Sequence, residues 1–306
     1  MAHDRRGMPI GIIGLGLVGH AIAHRLQAAG FRTVGFDLRE EARASFAAAG
    51  GGVVNTVADV GAIAHTVVLA VFETRDVIEV VEGADGLLSR GAVRTLIDCS
   101  TGEPALLEAL AARLAARGVA FVEAPLSGSS QQIAAGEATV LVGGADDAVA
   151  QCAPLLDALS TRRIRVGGPG MGARAKLATN LVLGLNRAVL AEGMVFAETL
   201  GIAPETFLAL VLATPARSVA AETKGRLMVE GDFAPQSRIR QHLKDVDLML
   251  DGARGAGQRL PLSEIHAALM RAAIAAGDGE LDNAAIVRQL RRETLPPPPP
   301  PSPEQN

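Results

Sequence analysis

"GIIGLGLVGHAIAHRLQAAGFRTVGFDLRE", residues 11–40, decides how the first half of the chain folds. An apolar run breaks into Gly14, Gly16 and Gly19 in the spacing G-x-G-x-x-G, an Ala-rich helical pattern follows, and a second β-branched run ends in Asp37. The first glycine permits a tight turn, the second lets backbone approach a pyrophosphate, and the third lets helix and strand pack closely. The helix then begins with its amides aimed at the phosphates. Strand, turn, helix and terminal acid together predict a dinucleotide site in which Gly14, Leu15, Gly16, Leu17, Val18 and Gly19 form the phosphate loop. Asp37, with Leu38 beside it, stands where a carboxylate accepts hydrogen bonds from both adenosine ribose hydroxyls and repels a 2′-phosphate, which favours NAD. Arg39 keeps NADP as the alternative, because an arginine at this strand end can pair with a phosphate.

The same alternation continues outward from this unit. "TVVLAVF" (66–72), "RTLIDCS" (94–100), "VAFVEAP" (119–125) and "ATVLVGG" (138–144) are short apolar runs separated by Ala-rich helical patterns. This predicts an α/β fold with a Rossmann-type, doubly wound, largely parallel sheet over residues 9–168. After "RVGGPGMG" (165–172) the strand signal ends, and helical patterns run to 294 with breaks near 201–204, 214–215, 231–235, 255–261 and 277–279. An all-α substrate and dimerisation domain over 169–294 is expected there. Residues 1–8 read as a flexible N-terminus, and 295–306, "LPPPPPPSPEQN", as a disordered, polyproline-like tail.

Composition narrows the chemistry. At 306 residues, with 49% hydrophobic side chains, a net charge of −4 and no Trp or Tyr, the chain has room for two cores and no basic block for nucleic acid. No secretory leader is evident and no 18-residue window is free of polar groups, so the expectation is a cytoplasmic protein without membrane partners. Cys99 and Cys152 lack paired spacing and read as buried thiols. His20 and His24 share a helix face without a third ligand, and no metal site is expected.

Two further features suggest a substrate site. "DCSTGEP" (98–104) and "EAPLSGSSQQ" (123–132) both follow strand ends that point at the ligand crevice of an open α/β sheet. Ser100, Thr101, Ser127, Gly128, Ser129 and Ser130 offer hydroxyls and unobstructed amides, which suit a carboxylate or polyol and equally suit a turn. In "GMGARAKLATN" (170–180), Lys176 and Asn180 lie one helical turn apart on an otherwise apolar helix. A buried ammonium needs a partner, and burial moves a lysine's pKa from about 10.4 towards working pH, where proton transfer is efficient.

The order G-x-G-x-x-G, "DCST", "APLSG", "GMGARAK...N" and "HLKDVDLML" resembles the β-hydroxyacid dehydrogenases, the group containing 3-hydroxyisobutyrate dehydrogenase and tartronate semialdehyde reductase. The resemblance spans nearly the whole chain short of the tail. It implies an NAD(P)-dependent dehydrogenase or reductase acting on a small 3-hydroxy acid or semialdehyde; independently of it, helices as apolar as "NRAVLAEGMVFAETLGI" (186–202) suggest a buried subunit interface, in a homodimer or homotetramer. By position the resemblance assigns catalysis to Lys176, substrate positioning to Asn180, the substrate carboxylate to Ser127 and Gly128, and cofactor contacts to Val71, Phe72, Thr101 and Lys244; Ser129 joins the expected substrate-binding residues through its own hydroxyl and amide. Asp37 and Leu38 stand where NADP-dependent relatives often carry Asn-Arg. Thr179 replaces the histidine usual in 6-phosphogluconate dehydrogenases, and imine reductases generally lack the lysine. Ser129 and Gln132 replace glycines common in the serine loop, and Phe72 replaces a common proline. A semialdehyde or glyoxylate reductase using NADPH is the near alternative. A silent dinucleotide-binding interaction protein is the distant one, and it would be expected to lose Lys176.

Overall fold

The computed structural model describes residues 7–293. The expected tail at 295–306 and most of the expected N-terminal segment lie outside the described residues. Contacts group the described chain into two compact units, one reaching to Val182 and including Lys244–Leu260, the other containing Leu183–Leu243 and the residues from Pro261 onward.

In chain order the first unit holds β1 (Ile10–Ile13), α1 (Leu17–Ala28), β2 (Thr33–Phe36), α2 (Glu40–Ala48), β3 (Gly52–Val53), α3 (Val57–Ile63), β4 (Thr66–Leu69) and α4 (Thr74–Glu82). It continues through β5 (Thr95–Asp98), α5 (Pro104–Ala116), β6 (Ala120–Glu123), β7 (Leu126–Ser127), α6 (Ser130–Ala135), β8 (Thr139–Gly144), α7 (Asp146–Leu159), β9 (Arg163–Gly167) and the start of α8 (Met171–Thr199). The strands form one sheet in the order β3-β2-β1-β4-β5-β6-β8-β7, with β9 on β8. Strands β1 to β6 are parallel, as expected, and a helix lies between each strand and the next in the chain, as parallel pairing requires. Side chains alternate between two cores: Ile12, Val68, Ile97 and Val122 face one layer of helices, and Ile13, Leu69, Leu96 and Phe121 the other. Burial on both faces is why these strands read as continuous apolar runs.

The far edge of the sheet is mixed, which the sequence did not indicate. Strand β8 runs antiparallel to β6 and β7; from β7 it is separated only by residues 128–138 with the short α6, and a parallel return needs a dozen or more residues. Strand β9 was hidden by its arginines. Arg163 and Arg165 project from this edge and pair with Asp157 at 2.7 Å and Asp146 at 2.9 Å, a charged edge that discourages further pairing.

The second unit is helical: the later part of α8, α9 (Pro204–Ala213), α10 (Val219–Glu230), the start of α11 (Ile239–Gly255), α12 (Pro261–Ala275), a 3-10 turn at Asn283–Ala285 and α13 (Ile286–Arg292). Its polar centre is Asp282, fully buried, which accepts from Lys224 at 2.9 Å and from the amides of Gln236, Ser237 and Ala284. One carboxylate thereby ties α10, the loop before α11 and the 3-10 turn together. By length and composition alone α8 could cross a membrane, and it also passes the same test as the core helix of a folded protein. Its buried Lys176, Asn180 and Arg187 fit the second description, since charges in a bilayer are costly.

Candidate active site

The glycine loop of the first unit shows three different constraints. Gly14 has φ of +90°, a left-handed conformation, and a side chain there would overlap the Ala70 carbonyl. A side chain on Gly19 would overlap the Gly14 carbonyl, so the close contact of helix on loop requires its absence. Gly16 is different: its missing Cβ meets only the Arg39 guanidinium, at 3.6 Å. Gly16 is the N-cap of α1, with no side-chain cap and no acid in the first turn, so the helix presents uncapped amides at an open surface. That cradle fits a pyrophosphate.

Asp37 closes the loop from β2. Its Oδ2 accepts the Leu15 amide at 2.7 Å, and its Oδ1 accepts the Arg39 amide at 2.9 Å and Arg39 Nε at 3.1 Å. Burial pushes this carboxyl up, but the bonds from Arg39 and Leu15 outweigh it and hold the group below the usual carboxylate range. Leu38 is exposed beside it, and Arg43 donates to the carbonyls of Asp37 and Leu38.

A second set gathers at the ends of β4, β5 and β6. The Val71 amide donates to Ser100 Oγ at 3.1 Å, and the Ser100 amide donates to Asp98 Oδ1 at 2.9 Å. Asp98 is buried with its other oxygen lacking a hydrogen-bond partner; desolvation pushes its carboxyl up to about 7, and the Glu123 charge adds to the rise. Lys244, at the start of the α11 segment belonging to this unit, donates to the carbonyls of Phe72 at 2.8 Å and Thr101 at 2.7 Å, lies 5.4 Å above the Phe72 ring and pairs with Asp245 at 3.1 Å. Val71, Phe72, Thr101 and Lys244 are thus brought together, by main-chain carbonyls that no residue pattern announces.

The beginning of α8 supplies the third set. Lys176 and Asn180 are both buried on one face. Lys176 Nζ donates to the Leu126 carbonyl at 2.6 Å, immediately before Ser127, and Asn180 Nδ2 donates to Asp245 Oδ2 at 3.0 Å. Glu123, at the end of β6, accepts the amides of Gly170 and, at 2.8 Å, Ala173, so it caps α8 from a neighbouring strand. Burial raises the Glu123 carboxyl against the pull of those amides. Asp98, Glu123 and Asp245 were all missed in the sequence. Asp98 and Glu123 are acids at the ends of apolar runs, in "LIDCS" and "FVEAP", and that misplacement was the available signal; Asp245, in "HLKD", lies in a polar stretch and carries no such signal.

The serine loop divides. Ser127 lies at the end of β7 and Gly128 follows with φ of 158°. Ser129 is the N-cap of α6: its hydroxyl accepts the Gln132 amide at 3.3 Å, and its amide donates to Gln132 Oε1 at 2.8 Å. This capping box engages the Ser129 amide and one lone pair of its hydroxyl, whose O–H remains a donor. It also gives Gln132 a structural purpose.

A doubly wound sheet with this phosphate cradle is the frame of an oxidoreductase that uses a nicotinamide dinucleotide. Residues 9–168 match the NAD binding domain of 6-phosphogluconate dehydrogenase, and residues 170–290 match the NAD-binding domain of NADP-dependent 3-hydroxyisobutyrate dehydrogenase. The chain is 31% identical to an L-threonate dehydrogenase of Cupriavidus necator over 91% of its own length and 95% of that protein's. It is 28% identical to human mitochondrial 3-hydroxyisobutyrate dehydrogenase over 93% of this chain and 87% of that one. A crystal structure of 3-hydroxyisobutyrate dehydrogenase from Salmonella typhimurium shares the fold with a TM-score of 0.83 at 29% identity, covering 92% of this chain and 99% of the other. The chain belongs to the β-hydroxyacid dehydrogenase family and is an NAD(P)-dependent oxidoreductase.

Proposed function

We propose that this chain oxidises the hydroxyl-bearing carbon of a small 3-hydroxy acid with NAD, and that Lys176 is its general acid/base. The observation that carries this reading is the buried Lys176 amine, fixed by the Leu126 carbonyl at 2.6 Å beside Ser127. The carbonyl anchors Nζ without taking its proton. In oxidation the neutral amine receives the substrate hydroxyl proton; in the reverse direction the ammonium returns a proton to the oxygen. Asn180, held by Asp245, orients the reacting oxygen, and Ser127 with the Gly128 amide binds the substrate carboxylate. Gly14 to Gly19 and Asp37 hold the dinucleotide, with Val71, Phe72, Thr101 and Lys244 on its nicotinamide side. When bound, the cofactor accepts or delivers the hydride, and the protein supplies orientation.

The names of the relatives make L-threonate and 3-hydroxyisobutyrate the first substrates to try, followed by glycerate and serine. Turnover is followed as NADH formation. The Lys176→Ala variant is expected to bind NADH normally and to lose at least about 100-fold in the hydride-transfer rate, within the range of general acid–base catalysis. An unchanged rate would refute the lysine assignment.

Arg39 favours a second reading, reduction of a semialdehyde with NADPH. Its side chain, 57% exposed, lies beside the Asp37 carboxylate and the open face of Gly16. Titration with both cofactors separates the two: preference for NADP that vanishes in Arg39→Ala supports the second reading.

For assembly we propose a homo-oligomer through α8. Val182, Val189 and Phe196 repeat every seven residues and are 57%, 68% and 63% exposed, forming an apolar stripe along one helix.

A further inference from the structure

We infer that Glu123 is a positioning residue that sets where α8 begins and thereby where the Lys176 amine stands. The inference deepens the reading of Lys176 as acid/base and rests on it for its kinetic consequence only. Glu123 is almost completely buried at the end of β6, and both its carboxylate oxygens are taken by amides of the first turn of α8, from Gly170 and Ala173. Three residues after Glu123 comes Leu126, whose carbonyl receives Lys176, three residues after Ala173. Segments 123–126 and 170–176 are therefore joined at both ends, by the carboxylate at the helix start and by the lysine one turn later.

The glycines around this junction have the same explanation. A Cβ on Gly172 would lie 2.6 Å from the Glu123 Cβ, and one on Gly143 would lie 2.5 Å from the Gly172 amide and 3.1 Å from Glu123 Oε2. Gly170 has φ of +81°, which turns its amide toward the carboxylate. The "GMGARAK" stretch thus contains the room that the Glu123 side chain needs, and the lysine that its docking places. Glutamine has the same shape but presents one N–H₂ to an amide donor, so it loses one bond and opposes donor to donor.

The chain's lysines are Lys176, Lys224 and Lys244, which permits a direct test without substrate. Full-length protein labelled with ¹³C at lysine Cε gives a spectrum in which the Lys176→Ala variant identifies the Lys176 signal. In Glu123→Gln, and in Gly172→Ala, which leaves carboxylate and lysine chemically intact, the Lys176 signal should shift and broaden. The Lys224 signal, held by Asp282 in the other unit, should stay in place. With L-threonate and NAD, kcat should fall by about 100-fold, the cost of roughly 1 Å of misplacement, while NADH affinity changes less than about twofold. A Lys176 signal unmoved in both variants overturns the inference. So does a change in which all lysine signals and NADH affinity move together, since that describes general unfolding. If Glu123→Gln does not fold, Gly172→Ala decides. A displaced Lys176 signal in an enzyme whose Lys176→Ala form still turns over supports the positioning role and refutes the catalytic reading of the lysine.

Discussion

At the scale of single residues, the glycine loop makes a prediction that distinguishes folding from binding. Gly16→Ala places a methyl group at ordinary contact distance from the mobile end of the Arg39 side chain alone, so thermal stability should change by no more than about 0.5 kcal/mol while NADH affinity, read by fluorescence titration, falls by at least tenfold. Gly19→Ala drives a methyl into the Gly14 carbonyl and should lower both the melting temperature and the affinity. Asp98 makes a second prediction. Its folded pKa of about 7 lies above the 3.8 of an exposed aspartate because burial disfavours the charge. Between those values the folded state holds the proton and the unfolded state does not, so stability falls as pH rises from about 4 to 7. Asp98→Asn removes that slope. Urea midpoints compared from pH 5 to pH 8 should show the wild type losing ground to the variant by up to a few kcal/mol. A parallel pair of profiles would show that Asp98 does not titrate in this range.

Among elements, the ends of β4, β5 and β6 matter more than their lengths. Each is only four residues long, yet Leu69, Asp98 and Glu123 end in register, so the loops that follow converge on one side of the sheet. That convergence was legible from strand spacing. The partners were not: Lys244 reaches Phe72 and Thr101 across 172 and 143 residues of sequence, and it binds carbonyl oxygens that every residue possesses. The second unit has a comparable hub in Asp282. Asp282→Ala leaves Lys224 buried without its carboxylate and removes the acceptor of three amides, so unfolding free energy should drop by about 3–5 kcal/mol, measured by urea denaturation. Lys224→Met combined with Asp282→Asn should recover part of the loss, because the uncompensated charge is gone.

For the whole molecule, the proposed homo-oligomer follows from α8 being apolar on more than its buried side. Val189→Glu with Phe196→Glu should lower the mass measured by light scattering to that of a 31.5 kDa monomer, with NADH binding retained. An unchanged mass would remove the α8 stripe from the interface. The fold class was legible because burying both faces of a parallel sheet demands continuous apolar strands, and a phosphate loop demands glycines at fixed spacing. The mixed edge was not: β8 reads as one more apolar strand whose direction its residues do not announce, and β9 alternates arginine with apolar residues, which hid it as a strand.

Local sequence alone determined the doubly wound sheet, the dinucleotide loop and the presence of Lys176 and Asn180 on one helix face, because all of these follow from periodicity and from steric limits within a few residues. Tertiary structure decided what those groups touch. It gave Asn180 to Asp245, seated Lys176 on the Leu126 carbonyl and set Glu123 beneath the helix that carries it. Hydrogen bonds between residues 50 or more apart depend on how strands and helices stack, and stacking is settled only when the whole core closes.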